Sequence, residues 1–240
     1  MSLKIIHTAD WHLGQTFFGY DREEEHDAFL NWLVDTLAEQ QTDVLLIAGD
    51  VFDVANPSAS AQRRFFHFLK EANRRNPHLQ VIVVAGNHDS AARLESPIPL
   101  LEELNTSIVG IIRRTESGEI DFDSLVIPLY NKEKKREGWC LAVPYLRQGD
   151  YPAPEEGHDT YIAGINRMYR QLYDFADARR QPGEALVAMG HLHATGAELS
   201  DDDRSERIIM GGLESVSSDT FDEGLAYTAL GHIHKAQRIG

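Results

Sequence analysis

A single cysteine, Cys140, stands among the 240 residues. No disulfide can form within the chain, so a packed core must hold it together, and a reducing compartment is the simple default. Nowhere does an apolar run approach the roughly 18 residues of a membrane-crossing helix, so no membrane partner is expected. Residues 1–9 read as a β-strand and lack the long apolar segment of a signal peptide, which makes a cytoplasmic protein the expectation. Positive charge is scarce as well: 23 Lys and Arg face 38 Asp and Glu, for a net −15. That balance argues against a protein that coats nucleic acid by bulk attraction. It leaves open a site that meets phosphates through bound cations, which are the largest local charges where they occur. Low-complexity segments and internal repeats are missing too, which removes disordered and solenoid classes.

What is present suits one large α/β domain over residues 1–240, long enough to bury a single core without staples. Short β-branched apolar runs at 4–9, 43–48, 80–85 and 185–190 read as buried strands. Phe29, Trp32, Leu33 and Leu37 recur at helical spacing, as do Phe65, Phe68, Leu69 and Ala72. A third helix carries Ile162, Ile165, Tyr169, Leu172 and Phe175 on one face, with an N-cap near Asp159 or Thr160. Further strands follow at 124–129, 139–144, 207–211 and 227–230. The charged stretch 131–138 reads as a solvated hairpin connection, and 201–207 as a polar loop. The mixture implies two packed sheets with helices outside.

The chemistry gathers where strands end. The first strand runs into Asp10-Trp11-His12-Leu13-Gly14, the second into Gly49-Asp50-Val51-Phe52-Asp53, and the third into Gly86-Asn87-His88-Asp89. Late strands end in Gly190-His191-Leu192-His193 and Gly231-His232-Ile233-His234. Each motif alone has a bland reading, since a strand-terminal Asp caps turns and Gly-Asp or Gly-Asn is ordinary turn chemistry. Five at successive strand ends, where loops of α/β architectures converge, are a different matter. Their carboxylate, amide and imidazole content, without thiolate, suits Mn²⁺, Fe²⁺ or a mixed divalent site better than structural zinc.

Asp50 has two oxygens with which to bridge two metals. Asp10, His12, Asn87, His191, His232 and His234 then suffice for two open coordination spheres, and two such cations can drive in-line displacement at phosphorus. The neutral Asn87 leaves the pair cationic enough to attract a phosphodiester. His88 adjoins a ligand without needing to be one, which fits transition-state stabilisation or protonation of the leaving oxygen. Asp53 either orients His88 through its other ring nitrogen or caps a turn before Asn56-Pro57. His193 alternates with His191 as His232 does with His234, so spacing leaves its role open. His7, His26, His67, His78 and His158 read as surface or packing residues.

These residues resemble the calcineurin-like metallophosphoesterases, and within them the Mre11/SbcD-type DNA nucleases. The likeness covers essentially the whole chain. Its narrower part is carried by His7-Thr8-Ala9-Asp10-Trp11-His12-Leu13-Gly14, by Gly49-Asp50-Val51-Phe52-Asp53 and by Gly86-Asn87-His88-Asp89-Ser90, with Ala229-Leu230-Gly231-His232-Ile233-His234 closing the set in the right order. The resemblance implies a four-layer αββα sandwich of two mixed sheets and two Mn²⁺ ions. One ion would take Asp10, His12, Asp50 and His234, the other Asp50, Asn87, His191 and His232. His88 would be the catalytic, non-bridging histidine, and His193 would not be needed. Archaeal and eukaryotic relatives often carry His where this chain has Asp53, so the position looks bacterial.

The resemblance further implies 3′→5′ exonuclease activity on duplex ends and endonuclease activity on single strands or hairpins. It implies homodimers working with an SMC-like ATPase, SbcC or Rad50, on DNA breaks near the nucleoid. Phe66, lying off the Phe65 face, is the expected contributor to the dimer. A C-terminal DNA-binding cap and an ATPase-binding segment are expected to be absent from these 240 residues. Two other readings compete. One is a small-molecule or cyclic-nucleotide phosphodiesterase with the same dimetal site; the other is a non-catalytic scaffold with a decayed site, which the complete ligand set disfavours.

Overall fold

The computed structural model describes residues 3–152, 161–194 and 215–238. The first sheet joins β1 (Ile5–Thr8), β4 (Val44–Ala48), β5 (Gln80–Val84) and β6 (Thr106–Val109) in that order, parallel throughout. Between β1 and β4 lie a small hairpin, β2 (Thr16–Phe17) and β3 (Tyr20–Asp21), and helix α1 (Glu23–Glu39). Helix α2 (Ala59–Arg75) connects β4 to β5, and the short α3 (Ala91–Glu95) and α4 (Ile98–Leu101) lead to β6.

The second sheet runs β10-β9-β8-β7, built from β7 (Val126–Tyr130), β8 (Arg136–Ala142), β9 (Ala185–His191) and β10 (Leu225–Gly231). Only β7 with β8 is antiparallel. Helix α5 (Tyr161–Asp177) precedes β9. The two-sheet sandwich flanked by helices is therefore as expected, with the mixed pairing confined to the second sheet.

Side-chain alternation assembles the layers. Val44, Leu46 and Ala48 of β4, with Ile82 and Val84 of β5, join Leu141, Ala188 and the α5 residues Ile165, Met168, Tyr169 and Leu172 in one buried cluster. Their neighbours Leu45, Ile47, Val81 and Val83 face the other way and meet Leu33 and Leu37 of α1 and Phe65, Phe68 and Leu69 of α2. A period of two thus divides each central strand between two cores. Ser58 caps α2, its Oγ accepting from the Ala61 N–H at 3.1 Å. Gln80 ties the sheets together: its Nε2 donates to the Pro128 carbonyl at 2.9 Å.

Three expectations need amending. Trp32, assigned to the apolar face of α1, is 59% exposed. Phe66 is half-buried against its own core, its ring 5.4 Å from that of Phe65, so less of it is spare than its spacing implied. The charged connection is shorter than 131–138, because β8 already starts at Arg136, whose guanidinium pairs with Glu184 at 2.7 Å and lies over Trp139. Asn131 Oδ1 closes the turn by accepting from the N–H groups of Glu133 and Lys135. Strand β6 and the β2–β3 hairpin were too short to announce themselves. The expected strand at 207–211, the loop at 201–207, the cap at Asp159 or Thr160 and His158 lie outside the described residues.

Candidate metal centre

The loops that leave β1 and β4 continue side by side past the sheet. The N–H groups of Asp10, His12 and Leu13 donate to the carbonyls of Gly49, Asp50 and Val51, each at 3.0 Å. Apolar residues alternate with polar ones along this extension. Trp11 is buried among Phe29, Phe65 and Phe68, with edge-on ring contacts of 5.1 to 6.2 Å, and its indole N–H donates to Thr8 Oγ1. Leu13 and Phe52 are buried too and bridge the two loops. Seating these hydrophobic anchors turns Asp10, His12 and Asp50 toward one another, with φ of 57°, 46° and 49°. His232 is also at positive φ, 92°. Non-glycine residues seldom adopt that region, and such strain concentrates at functional sites.

Two glycines are required by close approach. A Cβ on Gly49, which also has φ of +91°, would run into the His191 ring. One on Gly86 would collide with the Asp50 carboxyl.

All seven candidate ligands come together. Asp10, His12 and His234 form one group whose ligand atoms lie within 4.8 Å of one another; Asp50, His191 and His232 form a second; His12, Asp50 and His88 form a third. Asp50 therefore stands between the two halves. Its Oδ1 accepts the His88 backbone N–H at 2.9 Å, while its buried Oδ2 has no hydrogen-bond partner among the described residues. That oxygen is 3.2 Å from His191 Nε2 and 3.8 Å from His12 Nε2. His12 Nε2 and His234 Nε2 face each other at 3.2 Å. Asn87 Oδ1 is 3.0 Å from both His191 Nε2 and His232 Nδ1. A buried carboxylate oxygen without a hydrogen bond, amid converging imidazole nitrogens and an amide oxygen, is the donor set of a divalent-metal site.

Outer contacts hold these ligands in place. His191 Nδ1 donates to the Ala48 carbonyl at 2.9 Å, which aims Nε2 inward. The Asp10 carboxylate accepts the His232 N–H at 3.0 Å. Burial works against charge on His191, but Asp50, with Asp10 and the Ala48 carbonyl, outweighs it and pushes the imidazole up to about 9. Burial likewise opposes the Asp50 carboxylate, yet His191 and His88 hold it well below the usual range. Asp10 is raised, by burial first and by neighbouring Asp50, against the pull of His191.

Asp53 does something other than expected. His88 Nδ1 donates to the Asp53 main-chain carbonyl at 2.8 Å, whereas the Asp53 carboxylate lies 3.4 Å from the buried His12 Nδ1. The backbone, not the side chain, makes the contact with His88 Nδ1. His193 belongs to none of the ligand groups among the described residues; its ring lies 6.3 Å from that of His232. His7 bonds Tyr227 Oη at 3.0 Å and His26 is buried, both far in role from the ligand groups, as packing histidines should be.

One residue went unassigned in the sequence. Asp89 is buried and its carboxylate accepts the N–H groups of Gly86 (2.9 Å), Phe52 (3.0 Å) and Val51 (3.2 Å), clamping the second loop to the third. Its place beside His88 was visible, but a strand-end Asp reads equally as turn chemistry.

The chain is 41% identical to the SbcD subunit of the SbcCD nuclease of Rhodobacter capsulatus, over 99% of this chain and 59% of that protein. It is 36% identical to the SbcD subunit from Escherichia coli K12 and 31% identical to that of Bacillus subtilis, each over 99% of this chain and 58% of the relative. It thus spans a little under six-tenths of the length of the curated relatives it matches. The model of the calcineurin-like phosphoesterase family matches residues 3–236. Family match and ligand geometry agree: the chain belongs to the calcineurin-like phosphoesterases.

Proposed function

We propose that the chain is the catalytic core of an SbcD-type DNA nuclease, a hydrolase that cuts phosphodiesters with two divalent cations, Mn²⁺ in this reading. The observation that carries it is the buried Asp50 oxygen, without a hydrogen bond and flanked by ligand groups on either side. Asp10, His12, Asp50 and His234 would hold one cation, and Asp50, Asn87, His191 and His232 the other. Bound there, the cations supply positive charge and acidify a water for in-line attack.

The chain's own residues do the rest. Asn87 contributes an oxygen without charge, so the centre keeps its attraction for a phosphodiester. His88, anchored at Nδ1 by the Asp53 carbonyl, can present Nε2 to the departing oxygen and stabilise or protonate it. Asp89, Trp11 and the Ala48 carbonyl keep the loops from relaxing, so the donors are pre-set for reaction.

The same reading assigns 3′→5′ exonuclease action on duplex DNA and endonuclease action on single strands or hairpins, in the cytoplasm with an SbcC-type SMC-like ATPase. It draws on the names of the relatives, each the SbcD component of an SbcCD nuclease. Among the described residues no helix is long and apolar enough to cross a membrane. A homodimer through the α2 helix that carries Phe66 belongs to it as well, although Phe66 is itself half-buried against the core. A one-chain mass in sedimentation at high protein concentration would count against the dimer.

The deciding assay offers end-labelled linear duplex DNA and bis-p-nitrophenyl phosphate to the protein with Mn²⁺, Mg²⁺ or EDTA, beside His88→Ala. DNA degradation with Mn²⁺, lost in EDTA and in the variant, is the expected result. Turnover of the small diester with DNA left intact would favour a small-molecule or cyclic-nucleotide phosphodiesterase instead.

A further inference from the structure

A chain of net charge −15 must bring a polyanion to a centre that itself holds Asp10 and Asp50. Several guanidinium groups are already committed. Arg22 pairs with Glu25, Arg64 with Glu23 and Asp27, Arg75 with Asp35, Arg113 with Glu95, and Arg136 with Glu184. Among the described residues Arg147 is one of those without such a pair, and what sets it apart is its place: its exposed guanidinium lies 5.5 Å over the Tyr145 ring. That ring in turn is 6.3 Å from the ring of His191.

The loop carrying both is fixed rather than trailing. The Tyr145 N–H donates to the Ala85 carbonyl at 2.8 Å, tying the segment after β8 to the end of β5, just before Asn87. The Arg147 N–H is held by Asp150 Oδ2 at 2.8 Å, and Arg114 Nη2 donates to the Gly149 carbonyl at 2.7 Å. An exposed cation without a carboxylate partner, held near an aromatic ring that neighbours a candidate metal ligand, is poised for a phosphate.

We propose that Arg147, supported by Tyr145, is the subsite for the backbone phosphate next to the one being cleaved, on the His191 side of the centre. The inference rests on the phosphodiester reading above and narrows it to a substrate with at least two consecutive phosphates, a nucleic acid strand. The planar guanidinium suits two oxygens of one phosphate, which the point charge of a lysine does not.

The test compares wild type, Arg147→Ala and Arg147→Lys on a single-stranded oligonucleotide and on bis-p-nitrophenyl phosphate, which has only one phosphate. In Arg147→Ala the ratio of kcat/KM for oligonucleotide to that for the small diester should fall about 10-fold or more, the range of a lost charged hydrogen bond. The slope of log affinity for the oligonucleotide against log salt should shrink by about 0.7, one single-strand phosphate contact. Arg147→Lys should keep that slope while recovering only part of the ratio. An unchanged ratio, including one preserved because both activities drop together as a structural role requires, overturns the inference alone. Wild type that turns over the small diester but neither binds nor cuts the oligonucleotide overturns the nuclease reading and this inference with it.

Discussion

Asp53 serves two histidines with different parts of itself, and the two can be separated. Its carbonyl holds His88 Nδ1, and no side-chain substitution removes a carbonyl. Its carboxylate lies 3.4 Å from His12 Nδ1, a buried nitrogen with no hydrogen-bond partner among the described residues, while Nε2 faces His234 and Asp50. Carboxylates behind ligating imidazoles set the tautomer and raise basicity, and their loss weakens metal binding about 10- to 100-fold. Asp53→Ala should therefore weaken Mn²⁺ binding in calorimetry by that order, and Asp53→Asn, which keeps an acceptor oxygen, should recover most of it. Equal affinity in Asp53→Ala and wild type would sink this role. Spacing could suggest Asp53 for a neighbouring histidine but could not say which one, because that depends on the path of the loop after β4. The positive φ of Asp10, His12, Asp50 and His232 was equally hidden, since it is uncommon even for Asp and His, which adopt it more readily than other non-glycine residues. The ligand candidates themselves were legible, because their chemistry is a matter of side-chain type and strand-end position.

At the scale of elements, the central strands of the first sheet were readable because they are buried on both faces. β4 and β5 are buried at every residue and, apart from Gln80 at the start of β5, appear as apolar runs. The edge strand β10, with its exposed and bulged start, was found only in part, over 227–230 of Leu225–Gly231. What joins one strand end to the next was not readable at all. Asp89 does this for the loops after β4 and β5 by accepting three backbone N–H groups inside the protein. Removing the carboxylate would leave those donors unsatisfied, at about 1–3 kcal/mol each. Asp89→Ala should lower unfolding free energy in urea by about 3 kcal/mol or more and weaken metal binding, although Asp89 is no ligand in the arrangement proposed. A stable variant with unaltered metal affinity would show that the loops hold their positions without it.

For the whole molecule, the ligands' origins matter more than their number. Asp10, His12, Asp50 and Asn87 follow strands of the first sheet, whereas His191, His232 and His234 end or follow strands of the second. The centre holds Asp10 and Asp50 close together, and Asp50 raises the pKa of Asp10. Cations bound there would relieve that repulsion and cross-link the two halves of the sandwich at the end where the strands stop. A ligand that binds only the folded chain stabilises it by about 2.7 kcal/mol at one hundred times its dissociation constant. For a chain of this size that corresponds to about 5–10 °C in Tm. Scanning calorimetry should show such a rise with Mn²⁺ and its reversal by EDTA. Asp50→Ala, which removes the carboxylate common to both halves, should abolish most of the rise, while His88→Ala should keep it, because His88 acts on the substrate in this reading. Loss of the metal-dependent shift in His88→Ala would make His88 a ligand and return its catalytic role to another residue.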